Sequence, residues 1–152
     1  MGQTVKRILG IILIGIVVAV AGALLVVRML DDAATDVLVS KVDRFDVPAD
    51  WDPVADTVRP ERFLCLSTNP CPSIFRSWKA TTILTAEDIQ MFADPVGLSL
   101  KFSDACQPRP GETGADILCT ATGTDDGYDY LLVLRKVIDD ERQVISVDVR
   151  PL

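Results

Sequence analysis

The chain has 152 residues, a formal net charge of −7 and no histidine. The length allows one domain with an appendage, and the lack of histidine excludes Ser/His/Asp and Cys/His nucleophilic centres. Residues 1–30 carry three basic and no acidic side chains, whereas residues 31–152 carry 12 basic and 22 acidic ones, a net charge of −10. This acidic part should repel nucleic acid and favour basic partners, although solubility alone also explains such a charge.

The first element is an apolar run at residues 8–27, which contains no charged or strongly polar side chain. A helix of 20 residues is about 30 Å long, the thickness of the hydrocarbon core of a bilayer, so the run predicts a transmembrane helix. The alternative is a cleaved signal peptide, because Ala19-Val20-Ala21 matches an A-x-A cleavage site after Ala21. The run continues to Val27 and is longer than secretory apolar regions, which favours an uncleaved signal anchor.

Flanking charges predict the orientation of this helix. Lys6 and Arg7 precede the run, whereas a single base, Arg28, follows it and is succeeded by acidic residues. The greater positive charge on the N-terminal side favours a cytoplasmic N-terminus, residues 1–7, and a periplasmic or extracellular C-terminal domain. Arg outnumbers Lys and Asp outnumbers Glu, a usage typical of GC-rich bacteria, so the membrane is expected to be a bacterial cytoplasmic membrane.

One face of the predicted span is lined by small residues. Gly15, Ala19 and Ala23 recur every four residues and therefore lie on the same side of a helix. Small side chains let a second membrane helix approach closely, so this face is a candidate helix-packing face. The alternative is that the pattern has no partner, since Gly is frequent in membrane helices generally.

Residues 28–61 are predicted to connect the span to the domain. Apolar residues of 32–45 fall on one side of a helix, either a short separate helix or a continuation of the membrane helix. Three prolines follow: Pro48, Pro53 and Pro60. Each lacks an N–H and biases its predecessor to extended geometry, so we expect residues 46–61 to form an acidic connector without regular structure.

Residues 62–152 show the pattern of a small α+β domain, an antiparallel sheet with one or two helices. Thr85 can cap a helix over 85–94, with Asp88 three residues later in the position of a capping-box acid. Residues 98–102 alternate strictly between apolar and polar, as in a half-buried strand. Further strands are predicted at 62–67, 77–84, 116–123, 129–138 and 143–150, the last three joined by short polar turns.

No pattern in this domain predicts catalysis, a metal or a cofactor. Asp125, Asp126 and Asp129 lack the alternating spacing and distal Glu of an EF-hand loop, and Asp-Asp-Gly is typical of a hairpin turn. The acidic run at 139–141 is interpreted in the same way, because nothing isolates a carboxylate pair in a pocket. We therefore expect no catalytic residue, no metal ligand and no cofactor.

Four cysteines lie in the predicted domain: Cys65, Cys71, Cys106 and Cys119. Five residues separate the first two and twelve the last two, whereas zinc sites use pairs separated by two to four and redox sites use C-x-x-C. An even set of cysteines outside the cytoplasm predicts disulfides instead, Cys65–Cys71 and Cys106–Cys119. A cross pairing such as Cys71–Cys106 remains open at this point.

Two functional hypotheses follow. The first is a non-enzymatic, single-span accessory protein that presents an acidic, disulfide-bonded domain to a partner. That partner is expected to be an integral membrane protein or a membrane complex, or else a basic soluble protein, and not nucleic acid. The second is a periplasmic ligand-binding or carboxylate-based enzymatic domain, either anchored or released by cleavage after Ala21. Converging carboxylates in a pocket would favour the second hypothesis.

Overall fold

The computed structural model describes residues 2–60, 72–107, 116–136 and 142–152. One long N-terminal helix precedes a six-stranded antiparallel sheet, whose strand order is β1-β2-β6-β5-β4-β3. The elements are α1 (Gly2–Val42), β1 (Asp52–Arg59), β2 (Ser73–Lys79), α2 (Ala86–Ala93), β3 (Lys101–Phe102), β4 (Asp116–Asp125), β5 (Tyr128–Lys136) and β6 (Gln143–Pro151).

Helix α1 is a single helix of 41 residues, so the segment 32–45 continues the N-terminal helix as far as Val42. At about 1.5 Å per residue it is about 60 Å long, twice the hydrocarbon thickness of a bilayer. By length and composition its apolar part can cross a membrane. Apolar side chains in this part, such as Leu13, Val18 and Leu25, are 61–65% exposed and contribute nothing to the domain core.

Residues 52–59 form strand β1, so the expectation that 46–61 lacks regular structure is wrong for this stretch. Pro53 is tolerated because β1 is an edge strand, in which one side of the backbone needs no partner. The pairing register with β2 also shifts directly after the proline, between Pro53, which lies opposite Trp78, and Ala55.

Strand β2 runs over Ser73–Lys79 and not over the predicted 77–84. The chain leaves the sheet at Ala80, whose N–H donates to the carbonyl of Gln143 at 2.9 Å. The buried side-chain oxygen of Gln143 then accepts the N–H of Leu84 at 2.7 Å. A long-range side-chain contact therefore replaces the ladder that the Thr- and Ile-rich composition predicted.

The other described elements lie close to their predicted positions. Helix α2 begins after Thr85 with a complete capping box: the Thr85 hydroxyl accepts the N–H of Asp88 at 3.3 Å, and the Asp88 carboxylate accepts the N–H of Thr85 at 2.8 Å. Strands β4, β5 and β6 form the expected antiparallel meander. In the 98–102 segment only Lys101 and Phe102 pair with β4.

One face of the sheet is covered by α2 and the end of α1, and the core lies between them. Residues on this face line up across the strands, for example Trp78 beside Ile145 and Ile145 beside Leu134. The core residues on the strands are Ile74, Trp78, Leu118, Cys119, Ala121, Tyr130, Leu132, Leu134, Ile145, Val147 and Val149. The opposite face is more open, and Phe75, Leu131, Val133 and Val144 are only half-buried there.

Candidate functional site

The last turns of α1 are part of the domain core. Leu38 and Val42 are 0% and 1% exposed, and Phe45, just beyond the helix, is 5% exposed. Leu38, Val42 and Phe45 follow a spacing of three to four residues, which places them on the face of the chain that meets the sheet. The helix that contains the apolar run therefore also supplies core side chains of the domain.

Lys41 attaches this helix end to the β4–β5 hairpin. Its Nζ lies 2.9 Å from Oδ2 of Asp126 and 3.3 Å from Oδ2 of Asp125, and it also lies 5.3 Å from the centre of the Tyr128 ring. The Asp126 carboxylate raises the pKa of Lys41, and Lys41 in turn lowers the pKa of Asp126 through the hydrogen bond it donates. Both groups are thereby held in their charged forms.

The geometry of the hairpin explains why two aspartates meet this lysine. Asp126 and Gly127 both adopt positive φ angles, 48° and 82°, as the two central residues of a type I′ turn require. The Asp-Asp-Gly sequence is therefore a turn, as predicted. It also binds a cation, but the cation is Lys41 of the same chain.

Two arginines hold the segment that follows α1. Arg44 donates from Nη2 to the backbone carbonyls of Pro95 and Val96, at 3.1 and 3.0 Å. Arg76 of β2 forms ion pairs with Asp43, at the end of the helix, and with Asp56 of β1, at 3.1 Å. The junction is therefore joined by polar contacts to the turn after α2, to β1 and to β2, as well as by its apolar side chains.

An aromatic cluster lies beneath the segment 45–51. Phe92 of α2 is at its centre, with ring-centre distances of 4.8 Å to Phe45, 5.5 Å to Trp51 and 5.8 Å to Trp78. Tyr130 extends the cluster on the sheet, 6.3 Å from Phe45. Aromatic pairs at these separations stabilise by about 0.5–1.5 kcal/mol beyond the area that they bury.

A groove of about 370 Å³ opens at the surface of this cluster, between the segment 46–51 and α2. Trp51, Leu84 and Phe92 supply apolar surface, and Met91 is 54% exposed at its edge. The residues that line it are Asp46, Pro48, Asp50, Trp51, Thr81, Thr82, Leu84, Asp88, Met91 and Phe92. Three of these residues are acidic and none is basic, so the apolar surface of the groove lies beside negative charges only. We call it the acidic groove.

The structure places the other sequence-predicted residues as follows. Cys106 and Cys119 are both buried and form a disulfide with a Cα separation of 4.7 Å, within the usual range. Cys65 and Cys71, and the acidic run at 139–141, lie outside the described residues. Gly15, Ala19 and Ala23 are exposed on α1, and a Cβ added at Gly15 would meet no neighbouring atom.

Sequence reasoning missed the two features that organise this region. The first is the set of Lys41 contacts, for which the available signal is a lone lysine between Leu38 and Val42 on an apolar helix stripe, because a buried charge needs a partner. The acidic groove brings together residues up to 46 positions apart, Asp46 and Phe92 at the extremes, so no local pattern contains it.

Within the described part of the chain, no group of three or more His, Cys, Asp or Glu side chains is arranged to hold a metal ion. Comparison with known proteins gives no further assignment: no family model, no curated protein and no solved structure matches this chain.

Proposed function

We propose that this protein is a non-enzymatic, single-span accessory protein of the cytoplasmic membrane. It presents its acidic, disulfide-bonded domain on the outer side of that membrane to a partner, which we expect to be a larger membrane protein complex. The orientation rests on Lys6 and Arg7 before the span against Arg28 after it. The acidic domain then lies away from the anionic headgroups and nucleic acid of the cytoplasm.

The continuity of α1 carries this proposal. The same helix contains the apolar run at its start and the core residues Leu38 and Val42 at its end, so no flexible linker separates span and domain. A rigid junction limits the positions that the domain can take relative to the bilayer. This suits a subunit that must meet a membrane partner in one arrangement, and it is unnecessary for a domain that only needs tethering.

Within the membrane, the small-residue face formed by Gly15, Ala19 and Ala23 is the proposed contact with the partner. Lipid tails are as apolar as leucine, so helices associate there through close packing. Ala19→Leu adds bulk in the middle of this face and keeps the span apolar. Val18→Leu is the matched control, because residue 18 lies about 100° away around the helix.

The experiment is purification of the full chain from membranes in mild detergent, with identification of the proteins that accompany it. A specific membrane partner should be retained by the wild type and by Val18→Leu, and weakened by Ala19→Leu at unchanged membrane levels. Contact through the acidic domain should also weaken between 0.1 and 1 M salt, as the Debye length falls from about 10 to about 3 Å. A C-terminus that a reporter fusion places in the cytoplasm would contradict the proposal.

A further inference from the structure

We propose that the acidic groove binds a basic peptide segment of the partner, one in which an arginine or lysine stands next to an apolar residue. This inference rests on the proposed function, because it names the surface of the domain that meets the partner. For such a peptide to bind, the groove must offer both an apolar surface and negative charge. It must also be a poor site for lipid, and strand addition at the sheet edge must be unfavourable.

The apolar part of the groove combines the half-buried Trp51 and the exposed Met91 with a fixed aromatic base. Trp51 is half-buried against Phe92, which packs in turn against Phe45 and Trp78, so the aromatic surface is fixed from below. Met91, 54% exposed, offers a flexible side chain at the edge. Trp and Met are enriched in the contact surfaces of protein complexes, where an aromatic ring contributes area with little loss of rotamer freedom.

The charged part of the groove selects for a cation. The capping box fixes the Asp88 carboxylate, and the hydrogen bond from the Thr85 hydroxyl lowers its pKa, so it stays ionised. Asp50 accepts a hydrogen bond from the Thr81 hydroxyl, which restricts its side chain, and Asp46 is an exposed residue of the same lining. A guanidinium or ammonium group over Trp51 would meet both the ring face and these carboxylates.

The position of the groove disfavours lipid as its occupant. Between Val27, the last residue of the apolar run, and Val42, where α1 ends, the helix rises about 22 Å. The headgroup layer adds only about 6 Å to each side of the hydrocarbon core. The groove begins at Asp46, past the end of α1, and so lies beyond the headgroups, and its acidic rim would repel anionic lipid.

Pairing with a strand at the sheet edge is also disfavoured. Edge strand β1 begins with Asp52 and Pro53 and contains a register shift, and these are the devices by which proteins prevent edge-to-edge pairing. A peptide that uses side chains in a groove needs no free sheet edge. Binding in the acidic groove is therefore favoured over addition of a strand to β1.

The test uses the full chain in nanodiscs and fluorescence anisotropy of a labelled peptide, Arg-Leu-Arg-Leu-Arg. Peptides with Ser in place of Leu, and with Glu in place of Arg, report the apolar and charge requirements separately. We expect binding of the first peptide only, weakened on the order of tenfold by Met91→Lys, which adds a cation at the edge of the groove. Asp46→Asn should weaken it about threefold, the size expected for one exposed ion pair.

Two control variants repeat these changes elsewhere. Ile117→Lys introduces the same charge at a side chain that is 50% exposed on β4, and Asp36→Asn removes an exposed carboxylate of α1. The proposal that the groove binds the peptide would be overturned by any of three results. These are equal weakening of peptide binding by the control variants, peptide binding that does not depend on Leu, and no peptide binding. Self-association of the wild type that Met91→Lys abolishes would also overturn it, because the occupant would then be a second copy.

The groove and the proposed function fail in different ways. If the membrane partner co-purifies equally with the wild type and with Met91→Lys, and Met91→Lys leaves peptide binding unchanged, the groove is not the binding site and the accessory function stands. If the chain is instead a released soluble protein that still binds the peptide through Met91, the accessory function is wrong and the groove is supported.

Discussion

Replacing Leu38 by alanine tests whether the end of α1 belongs to the domain. Leu38 is 0% exposed and packs in the core with Val42 and Phe45, so its truncation removes buried methyl groups and leaves a cavity. Such a change costs about 2.7–5 kcal/mol. We expect about 3 kcal/mol, near the lower end, because Leu38 sits at the start of the buried part of α1, where the surroundings can relax.

The assay is urea unfolding of the full chain in nanodiscs, followed by the fluorescence of Trp51 and Trp78, which both contact Phe92. With a urea dependence of about 1.5 kcal/mol per molar, a loss of 3 kcal/mol lowers the midpoint by about 2 M.

Leu30→Ala is the matched control, because Leu30 lies on the same helix and is 66% exposed. It should change the free energy of unfolding by less than about 0.5 kcal/mol. Equal midpoints for Leu38→Ala and Leu30→Ala would refute the reasoning, since α1 would then be a tether that ends outside the core.

Three further predictions concern the polar contacts and the disulfide. Lys41→Met should destabilise the domain and remove part of its pH dependence. Because the pKa of Asp126 is lowered in the folded state, its contribution to stability is present above about pH 4 and is lost as the pH falls further. Because the pKa of Lys41 is raised, its contribution is present below about pH 10.5 and is lost as the pH rises further. Urea midpoints of wild type and variant across pH 3–11 check this, and parallel profiles would contradict it. Cys106→Ser combined with Cys119→Ser should cost about 2–4 kcal/mol, and peptide mapping of the unreduced protein will also report whether Cys65 pairs with Cys71. Thr85→Ala should cost about 1 kcal/mol through loss of the capping box, whereas Thr82→Ala, at an exposed position before α2, should leave thermal unfolding unchanged.

Local patterns predicted the elements whose physics is local. The capping box of α2 requires only Thr85 and Asp88, three residues apart, and the β4–β5 turn requires only Asp126 and Gly127. In each case the side chain or backbone that fixes the element lies within the element itself, so the sequence contains the whole interaction.

Elements that depend on distant partners were predicted poorly. Three prolines argued against regular structure over 46–61, yet β1 forms because β2 supplies a partner and the edge position tolerates Pro53. Strand β2 ends early because Gln143 accepts hydrogen bonds from the backbone N–H groups of Ala80 and Leu84, and it lies 59 positions after Leu84. The β-propensity of a segment does not predict such contacts, because they depend on the order of the strands in the sheet.

The candidate sites divide in the same way. The apolar run and the small-residue face are visible in one helix of sequence, because a helix brings residues four apart together. The acidic groove and the Lys41 ion pairs need the sheet to place α2 and the β4–β5 hairpin beside the end of α1. Net charge predicted an acidic surface, but only the fold shows that three of its carboxylates line a groove together with the half-buried Trp51.

The exposed surface of α1 bears on whether the chain is cleaved after Ala21. Cleavage would leave a domain that begins with the last six residues of the apolar run, and in the stretch 22–30 the side chains of Leu24, Leu25, Val26, Met29 and Leu30 are 57–71% exposed. These side chains cover about two turns of mostly apolar helix, interrupted by Arg28, and soluble monomers rarely expose such a surface. The core residues from Leu38 onward would keep that helix in place, so the exposed turns could not fold back without unpacking the domain.

The physical expectation is therefore an uncleaved anchor, and the mass of the purified protein tests it. The full chain of 16.5 kDa should be recovered from the membrane fraction, and it should require detergent for extraction. A chain that begins at Gly22 and remains monomeric in the soluble fraction would refute the uncleaved anchor.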